Sequence, residues 1–184
     1  MGVKNRFGRR KFLRTTAVAA ACGSLASCSE SRRPSRFFTD EEARTVDAIC
    51  ERIVPQDADA GASAAGVVDF IDCQLMGPHR SYRELYRQGL LAIDESSLAR
   101  FSKRFAGLDP DRQDEILALV EKAEAPGDGW KKVSPQEFFK LIVDHAFQGF
   151  YGDPRHGGNR NGVTWKMLGL PYPPVRGRDQ YRFG

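Results

Sequence analysis

The chain is poor in the residues that most often bind metals and covalently attached cofactors. It contains only four cysteines and three histidines among 184 residues. No Cys-x-x-Cys-His sequence is present, which excludes the usual attachment site of a c-type haem. Paired Cys-x-x-Cys spacings are missing as well, so no zinc-binding motif of that kind is predicted.

Recognisable catalytic motifs are also missing. The sequence has no Gly-x-Gly-x-x-Gly, no Walker A loop, no Gly-x-Ser-x-Gly and no His-Glu-x-x-His. His79, His145 and His156 are widely spaced, and His145 lies on the apolar face of a predicted helix, where a histidine is usually a core residue. A stand-alone enzyme would have to pair His145 or His156 with Asp144 or Asp153, without a recognisable nucleophile or metal set.

Long hydrophobic runs are absent too, and the best apolar stretch belongs to a targeting segment. Thr15–Leu25 spans 11 residues, whereas a membrane-spanning helix needs about 20. It follows the residues of a twin-arginine export motif, Arg9, Arg10, Phe12 and Leu13. Residues 1–27 are therefore predicted to be a signal peptide for the twin-arginine translocase, which exports folded proteins, and the protein is expected to be periplasmic.

The end of this segment fits two processing reactions. Leu25-Ala26-Ser27-Cys28 resembles a lipobox, so cleavage before Cys28 and its acylation would attach the protein to a membrane. An ordinary peptidase site at the nearby Ala and Ser residues is the alternative. One acyl chain alone is a modest anchor, although lipoproteins usually carry more than one. Residues 28–36 are predicted to be a linker.

Positive charge is concentrated in the predicted signal. The whole chain has 28 basic and 24 acidic residues, for a net charge of +4. Residues 1–27 hold six of the basic residues and none of the acidic ones, so residues 28–184 carry a net charge of −2. The basic character belongs to the signal, and binding to nucleic acid is not predicted.

Two cysteines, Cys50 and Cys73, lie beyond the signal on predicted helices. In an oxidising compartment they are candidates for a disulfide with each other or with a partner. Two small buried hydrophobic side chains are an equally good interpretation.

Residues 37–151 predict an all-α domain of about five or six helices. Apolar residues recur at spacings of three and four, and no stretch alternates apolar and polar residues over the length of a strand. The clearest helix starts are a capping box at Thr39 and Glu42 and the cap–proline pairs Asp109-Pro110 and Ser134-Pro135.

Several details of this domain are predicted from local composition. Gln56–Gly66 is expected to be a loop of small residues, and Leu98 is placed on a buried helix face. The helix that starts at Pro110 is expected to end at Pro126-Gly127. Asp69 and Asp72 lie three residues apart on one predicted helix. They fit a solvent-exposed helix face as well as they fit a pair of catalytic carboxylates.

The final part of the sequence, residues 152–184, has a different composition. It contains seven glycines and four prolines, which predicts an extended, irregular segment. Its large apolar side chains would be costly to leave in water, so the segment is expected to pack on the domain or on a partner. These side chains are Trp165, Met167, Leu168, Tyr172 and Tyr181.

Turn-forming residues in this segment adjoin aromatic and charged ones. One interpretation is a well-capped loop that fixes the end of the preceding helix. The other is a partner interface, because Trp, Tyr and Arg dominate interface hot spots. The predicted interface consists of Asp153, Arg155, Gly157, Gly158, Asn159, Arg160, Trp165, Lys166 and Tyr172, together with exposed aromatics near Tyr82 and Tyr86.

Two stretches of this region, supported by Phe38–Glu42 and Ile53–Asp57, resemble the gluconate 2-dehydrogenase subunit 3 family. The two stretches are Gly149-Phe150-Tyr151-Gly152-Asp153-Pro154-Arg155-His156-Gly157-Gly158-Asn159-Arg160 and Trp165-Lys166-Met167-Leu168-Gly169-Leu170-Pro171. His156 stands where the family often has tyrosine, a mild departure.

The resemblance implies an accessory subunit of an exported flavin-dependent sugar or polyol dehydrogenase. In such complexes the large subunit holds FAD and oxidises the substrate, and a multihaem cytochrome c subunit, where present, accepts the electrons. The small subunit assists folding and export of the large one. The resemblance assigns this chain no cofactor and no catalytic residue, and it implies membrane association through the complex or through a lipid.

An independent sugar-binding module is the alternative of a different class. Trp130, Trp165 and the tyrosines would stack on sugar rings, while Asn159, Arg160 and Asp153 would bond hydroxyl groups.

Overall fold

The computed structural model describes residues 37–170, and this part of the chain contains helices and turns but no strand. The seven α-helices are α1 (Asp40–Ile53), α2 (Ala62–Ala65), α3 (Val67–Met76), α4 (Arg83–Phe101), α5 (Pro110–Glu121), α6 (Pro135–Tyr151) and α7 (Val163–Met167). The all-α prediction is confirmed. The seven helices exceed the expected five or six because α2 and α7, of four and five residues, are too short to show a periodic pattern.

The three predicted helix starts are confirmed, and each depends on a side chain at its own N-terminus. The Thr39 hydroxyl accepts from the Glu42 amide at 3.2 Å, while the Glu42 carboxylate accepts from the Thr39 amide at 2.8 Å. Asp109 and Ser134 cap α5 and α6, each directly before a proline. These bonds satisfy amides that have no partner within the helix.

Replacing Thr39 by alanine is expected to lower the free energy of unfolding by about 1 kcal/mol, because the capping box loses its hydroxyl acceptor. The measurement is a urea titration followed by circular dichroism. Thr39→Ser is the matched control and should retain nearly all of the stability, since serine caps equally well. Equal losses in both variants would contradict the assigned role.

The core forms where α6 lies among the other helices. Helix α6 contacts α1, α2, α3, α4, α5 and α7. The largest fully buried side chains are Tyr86, Phe105, Phe138 and Phe150. Gly89 of α4 faces Phe138, and a Cβ at Gly89 would lie 2.6 Å from the Phe138 Cγ. A glycine at this point therefore lets the backbone of α4 approach the aromatic core.

The local predictions for Gln56–Gly66 and for Leu98 are wrong. Gln56–Gly66 is not wholly a loop, because it includes the short helix α2. The start of α2 is fixed by the Glu51 carboxylate, which accepts a hydrogen bond from the Ser63 amide at 2.9 Å. Leu98 is 47% exposed, since its helix instead buries Ser96 and Ser97, whose hydroxyls donate to carbonyls one turn earlier.

Helix α5 ends at Glu121, well before Pro126-Gly127. Ala123 adopts a left-handed conformation with φ of 57°. The Glu124 amide then donates to Leu119 O at 2.8 Å and the Ala123 amide to Val120 O at 3.1 Å, the two bonds of a Schellman ending. Alanine rarely takes this conformation, so the sequence carries no sign of the stop.

Asp72 fixes the N-terminal end of the described chain instead of facing solvent. It is 6% exposed, and its Oδ1 accepts from the amides of Phe37 and Phe38, both at 2.9 Å. Arg87 donates to Phe37 O at 2.8 Å, lies 4.4 Å from the centre of the Phe37 ring and pairs with Glu42. The solvated-face interpretation is therefore wrong for Asp72.

Candidate functional site

The glycine-rich segment after α6 is folded against α3 and α6. It forms two 3-10 turns, Pro154–His156 and Arg160–Gly162, and then helix α7. The prediction of an extended segment is therefore wrong for residues 152–170. Between α6 and α7, four residues adopt positive φ: Gly157 at 104°, Asn159 at 41°, Asn161 at 58° and Gly162 at 65°. Glycine and asparagine take such angles most readily.

Asn159 connects the end of α6 to the start of α7. Its side chain is inaccessible to solvent, with 0% exposure. Its Nδ2 donates to Gly152 O at 2.9 Å, its backbone amide donates to Gly149 O at 2.9 Å, and its Oδ1 accepts from Thr164 N at 3.0 Å. One amide side chain thus serves two helix ends whose backbone groups lack intrahelical partners.

Gly158 passes directly over α6. A Cβ at this position would overlap the Gly149 carbonyl oxygen and lie 2.8 Å from its carbon. Gly149 in turn faces the Phe70 ring of α3, with its own Cβ position 2.9 Å from Phe70 Cδ1. Gly158 and Asn159 are buried within the chain. Their assignment to a partner-facing surface is therefore wrong, and the interpretation as a loop that fixes the helix end applies to them.

The charged residues of the segment divide between internal and surface contacts. Arg160 pairs with Asp69 of α3, and its guanidinium packs over Gly66. Asp69 is therefore part of an inter-element contact and not merely solvated. Asp153 accepts from Arg155 Nε at 2.9 Å, and this hydrogen bond holds the pKa of Asp153 below its usual value. Asp153 is half-buried and Arg155 exposed, so both remain at the surface together with Lys166.

An apolar surface lies beside this segment, and its α6 members were not predicted. We define the α6–α7 patch as Phe147, Tyr151, Trp165, Leu168 and Leu170. The Phe147 and Tyr151 rings stack with centroids 6.1 Å apart. Trp165 is half-buried, and its Nε1 donates to Tyr151 O at 3.2 Å. The sequence signal for Phe147 and Tyr151 is an aromatic pair four residues apart, a spacing that places both on one helix face.

Histidine and tyrosine side chains form a cluster between α3, α4 and α6. The Tyr86 hydroxyl lies 3.0 Å from His145 Nδ1, and the His79 ring stacks on His145 with centroids 4.5 Å apart. Burial, together with the nearby His79, lowers the pKa of His145 to about 4. Burial also raises the pKa of Tyr86. His145 is thus a neutral, hydrogen-bonded core residue at pH 7, as its helical position predicted.

Asp144 and Tyr86 lie outside the arrangements predicted for them. Asp144 is exposed and pairs with Lys140 at 2.5 Å, away from His145. Tyr86 is fully buried, which contradicts its predicted place on an exposed aromatic surface, whereas Tyr82 is 39% exposed.

Two side chains assigned to sugar recognition, Trp130 for stacking and Asn159 for hydroxyl groups, already have partners inside the chain. Trp130 Nε1 donates to the Ser96 hydroxyl at 2.8 Å. The Asn159 amide is buried and bonded on both of its ends.

Cys50 and Cys73 are both thiols and form no disulfide with each other. Cys50 is fully buried, and burial raises the pKa of its thiol. Cys73 is half-buried on α3.

Residues 37–170 hold no group of three or more His, Cys, Asp and Glu side chains arranged for a metal ion. Within the same range, no helix has the length and apolar character needed to cross a bilayer. The fold and these surfaces together define a small all-α protein with a tightly folded glycine-rich motif.

The chain belongs to the gluconate 2-dehydrogenase subunit 3 family, whose model matches residues 40–171. The resemblance drawn from the glycine-rich and Trp-Lys stretches is therefore confirmed. The family is described as a subunit of a dehydrogenase. Comparisons with curated proteins and with solved structures give no match.

Some predicted site residues lie outside the described residues. These are the export motif Arg9, Arg10, Phe12 and Leu13, the lipidation candidate Cys28, and Tyr172. The signal peptide, the linker and residues 171–184 fall outside them too, so these assignments remain predictions.

Proposed function

We propose that the chain is a non-catalytic small subunit of a periplasmic FAD-dependent sugar or polyol dehydrogenase. In this proposal it assists folding of the flavin-bearing subunit and its export by the twin-arginine translocase. FAD belongs to that partner, and haem c, where present, to a third subunit. No residue of this chain is assigned to hold either group.

The observation that carries the proposal is the combination of the family match with the N-terminal motif. The family model covers residues 40–171, and Arg9-Arg10 begins the export motif ahead of it. A twin-arginine signal serves cargo that is already folded. A chain with this signal can therefore take a folded partner along, provided that the two bind before export.

The geometry of the described residues agrees with a binding role. The polar groups that the sequence offered for chemistry, His145, Asn159 and Arg160, bond to other groups of the chain. Large apolar side chains are exposed on α4 as well, where Leu91 and Leu98 lie seven residues apart on one face of the helix. Exposed apolar side chains of this kind are available to a protein partner.

The test is the double substitution Arg9→Lys and Arg10→Lys in the native host. Periplasmic flavin dehydrogenase activity is expected to fall at least about tenfold, with the flavoprotein retained in the cytoplasm, because the signal requires both arginines. Arg6→Lys and Arg14→Lys form the matched control, since they change nearby arginines outside the pair. Normal periplasmic activity in the Arg9 and Arg10 variant, or after deletion of this subunit, would contradict the proposal.

A further inference from the structure

The α6–α7 patch holds half of the large apolar side chains that the described surface exposes. Eight such side chains are exposed in residues 37–170, and four of them belong to the patch. Phe147 is 43% exposed, Tyr151 46%, Leu168 52% and Leu170 50%. Because Trp165 bonds to the carbonyl of Tyr151, the aromatic pair of α6 adjoins the side chains of α7 and its exit. Clustering of this kind indicates a surface that another segment covers.

The chain leaves the described fold at this patch. The Leu170 amide donates to Trp165 O at 2.8 Å, which keeps residue 170 against α7. The next residues are Pro171-Tyr172-Pro173-Pro174-Val175, followed by a stretch that contains Tyr181 and Phe183. This composition matches the surface, because proline-rich segments bind aromatic side chains and lose little conformational entropy when they do so.

We infer that residues 171–184 dock onto the α6–α7 patch of their own chain, with Pro171–Val175 covering Tyr151 and Phe147. The required span is short. A polyproline segment advances about 3.1 Å per residue, so five residues extend about 15 Å. The Phe147 and Tyr151 centroids are separated by 6.1 Å, and Tyr151 already contacts Trp165. The inference concerns this chain alone and does not depend on the proposed function.

The attachment at Leu170 favours this occupant over a separate molecule. A segment joined to the edge of the patch binds intramolecularly, at an effective concentration in the millimolar range for a short connection. A partner subunit or a second copy has no such advantage and would have to displace it. The α6–α7 patch is then an internal contact of the isolated protein.

The experiment measures how accessible Trp165 is to acrylamide. The chain has two tryptophans, so a Trp130→Phe background leaves Trp165 as the only one. Deletion of residues 171–184 is expected to increase the quenching constant of Trp165 about twofold, because its ring loses a covering layer. A synthetic peptide of residues 171–184 should restore the protection in the truncated chain, whereas a scrambled peptide should not. Circular dichroism verifies that each variant is folded.

A second variant tests the inference in the full-length chain. Tyr172→Ser combined with Val175→Ser should raise the quenching as the deletion does, while Arg178→Ser, outside the covering residues, should leave it unchanged. Equal quenching in the full and truncated chains would overturn the inference. Protection that appears only with added flavoprotein, or only at high protein concentration, would overturn it as well, because the occupant would then be a partner or a second copy.

Discussion

Substitution of Gly158 by alanine is expected to lower the free energy of unfolding by about 3–5 kcal/mol, the largest effect of any change considered. The added methyl group would overlap the carbonyl oxygen of Gly149, and it would lie 2.9 Å from the Gly149 Cα. These are backbone atoms of α6, so no side-chain rotation relieves the overlap. The segment must move off the helix, which also breaks the bond from Asn159 N to Gly149 O.

Gly107→Ala provides the matched control in the same chain. A Cβ at Gly107 meets no heavy atom within 4 Å. Its variant should have unchanged or slightly higher stability, because alanine restricts the unfolded chain more than glycine does. Thermal and urea unfolding measure both variants. A Gly158→Ala protein as stable as the Gly107→Ala protein would show that the segment does not lie against α6.

Acidification is expected to destabilise the protein through His145. The pKa of His145 is about 4 in the folded protein, below its ordinary value of 6.5. The unfolded chain therefore binds a proton between these values while the folded chain does not, and stability is lost as pH falls through this window. Between about pH 7.5 and pH 5 the expected loss is about 2 kcal/mol.

The measurement is the free energy of unfolding at several pH values for the wild type and two variants. His145→Gln keeps a polar group near Tyr86 and removes the titrating ring, so it should lose this part of the pH dependence. His156→Gln is the control, because His156 is exposed, and it should keep the wild-type slope. His79 and Tyr82 also lie against the ring, and the charge of Asp144 acts on it. A slope unchanged in His145→Gln would contradict the assignment to His145.

The helices could be predicted because their signals are local. The Thr39 box, the Asp109 cap and the Ser134 cap involve residues no more than three positions apart. A short sequence pattern contains all of that information. The end of α5 escaped prediction for a related reason, since Ala123 has no composition signal for its left-handed conformation.

The sequence predicts where the glycine-rich site lies, but it does not predict what the individual residues of the site do. The glycine-rich segment was singled out and its family is confirmed, but Gly158 and Asn159 were assigned to a partner surface. Their roles depend on contacts with Gly149 and Gly152, which only the turn geometry brings close. The role of Asp72 escapes prediction for the same reason, because its partners lie more than 30 positions away along the chain.

The contact between Asp72 and the amides of Phe37 and Phe38 bears on the removal of the predicted signal peptide. Phe37 and Phe38 are held by hydrogen bonds to the fold itself, through Asp72 of α3 and through Arg87 of α4. A protease that cuts anywhere before Phe37 therefore removes none of the bonds described among residues 37–170. These bonds do not depend on the predicted signal peptide, so its removal would leave them intact.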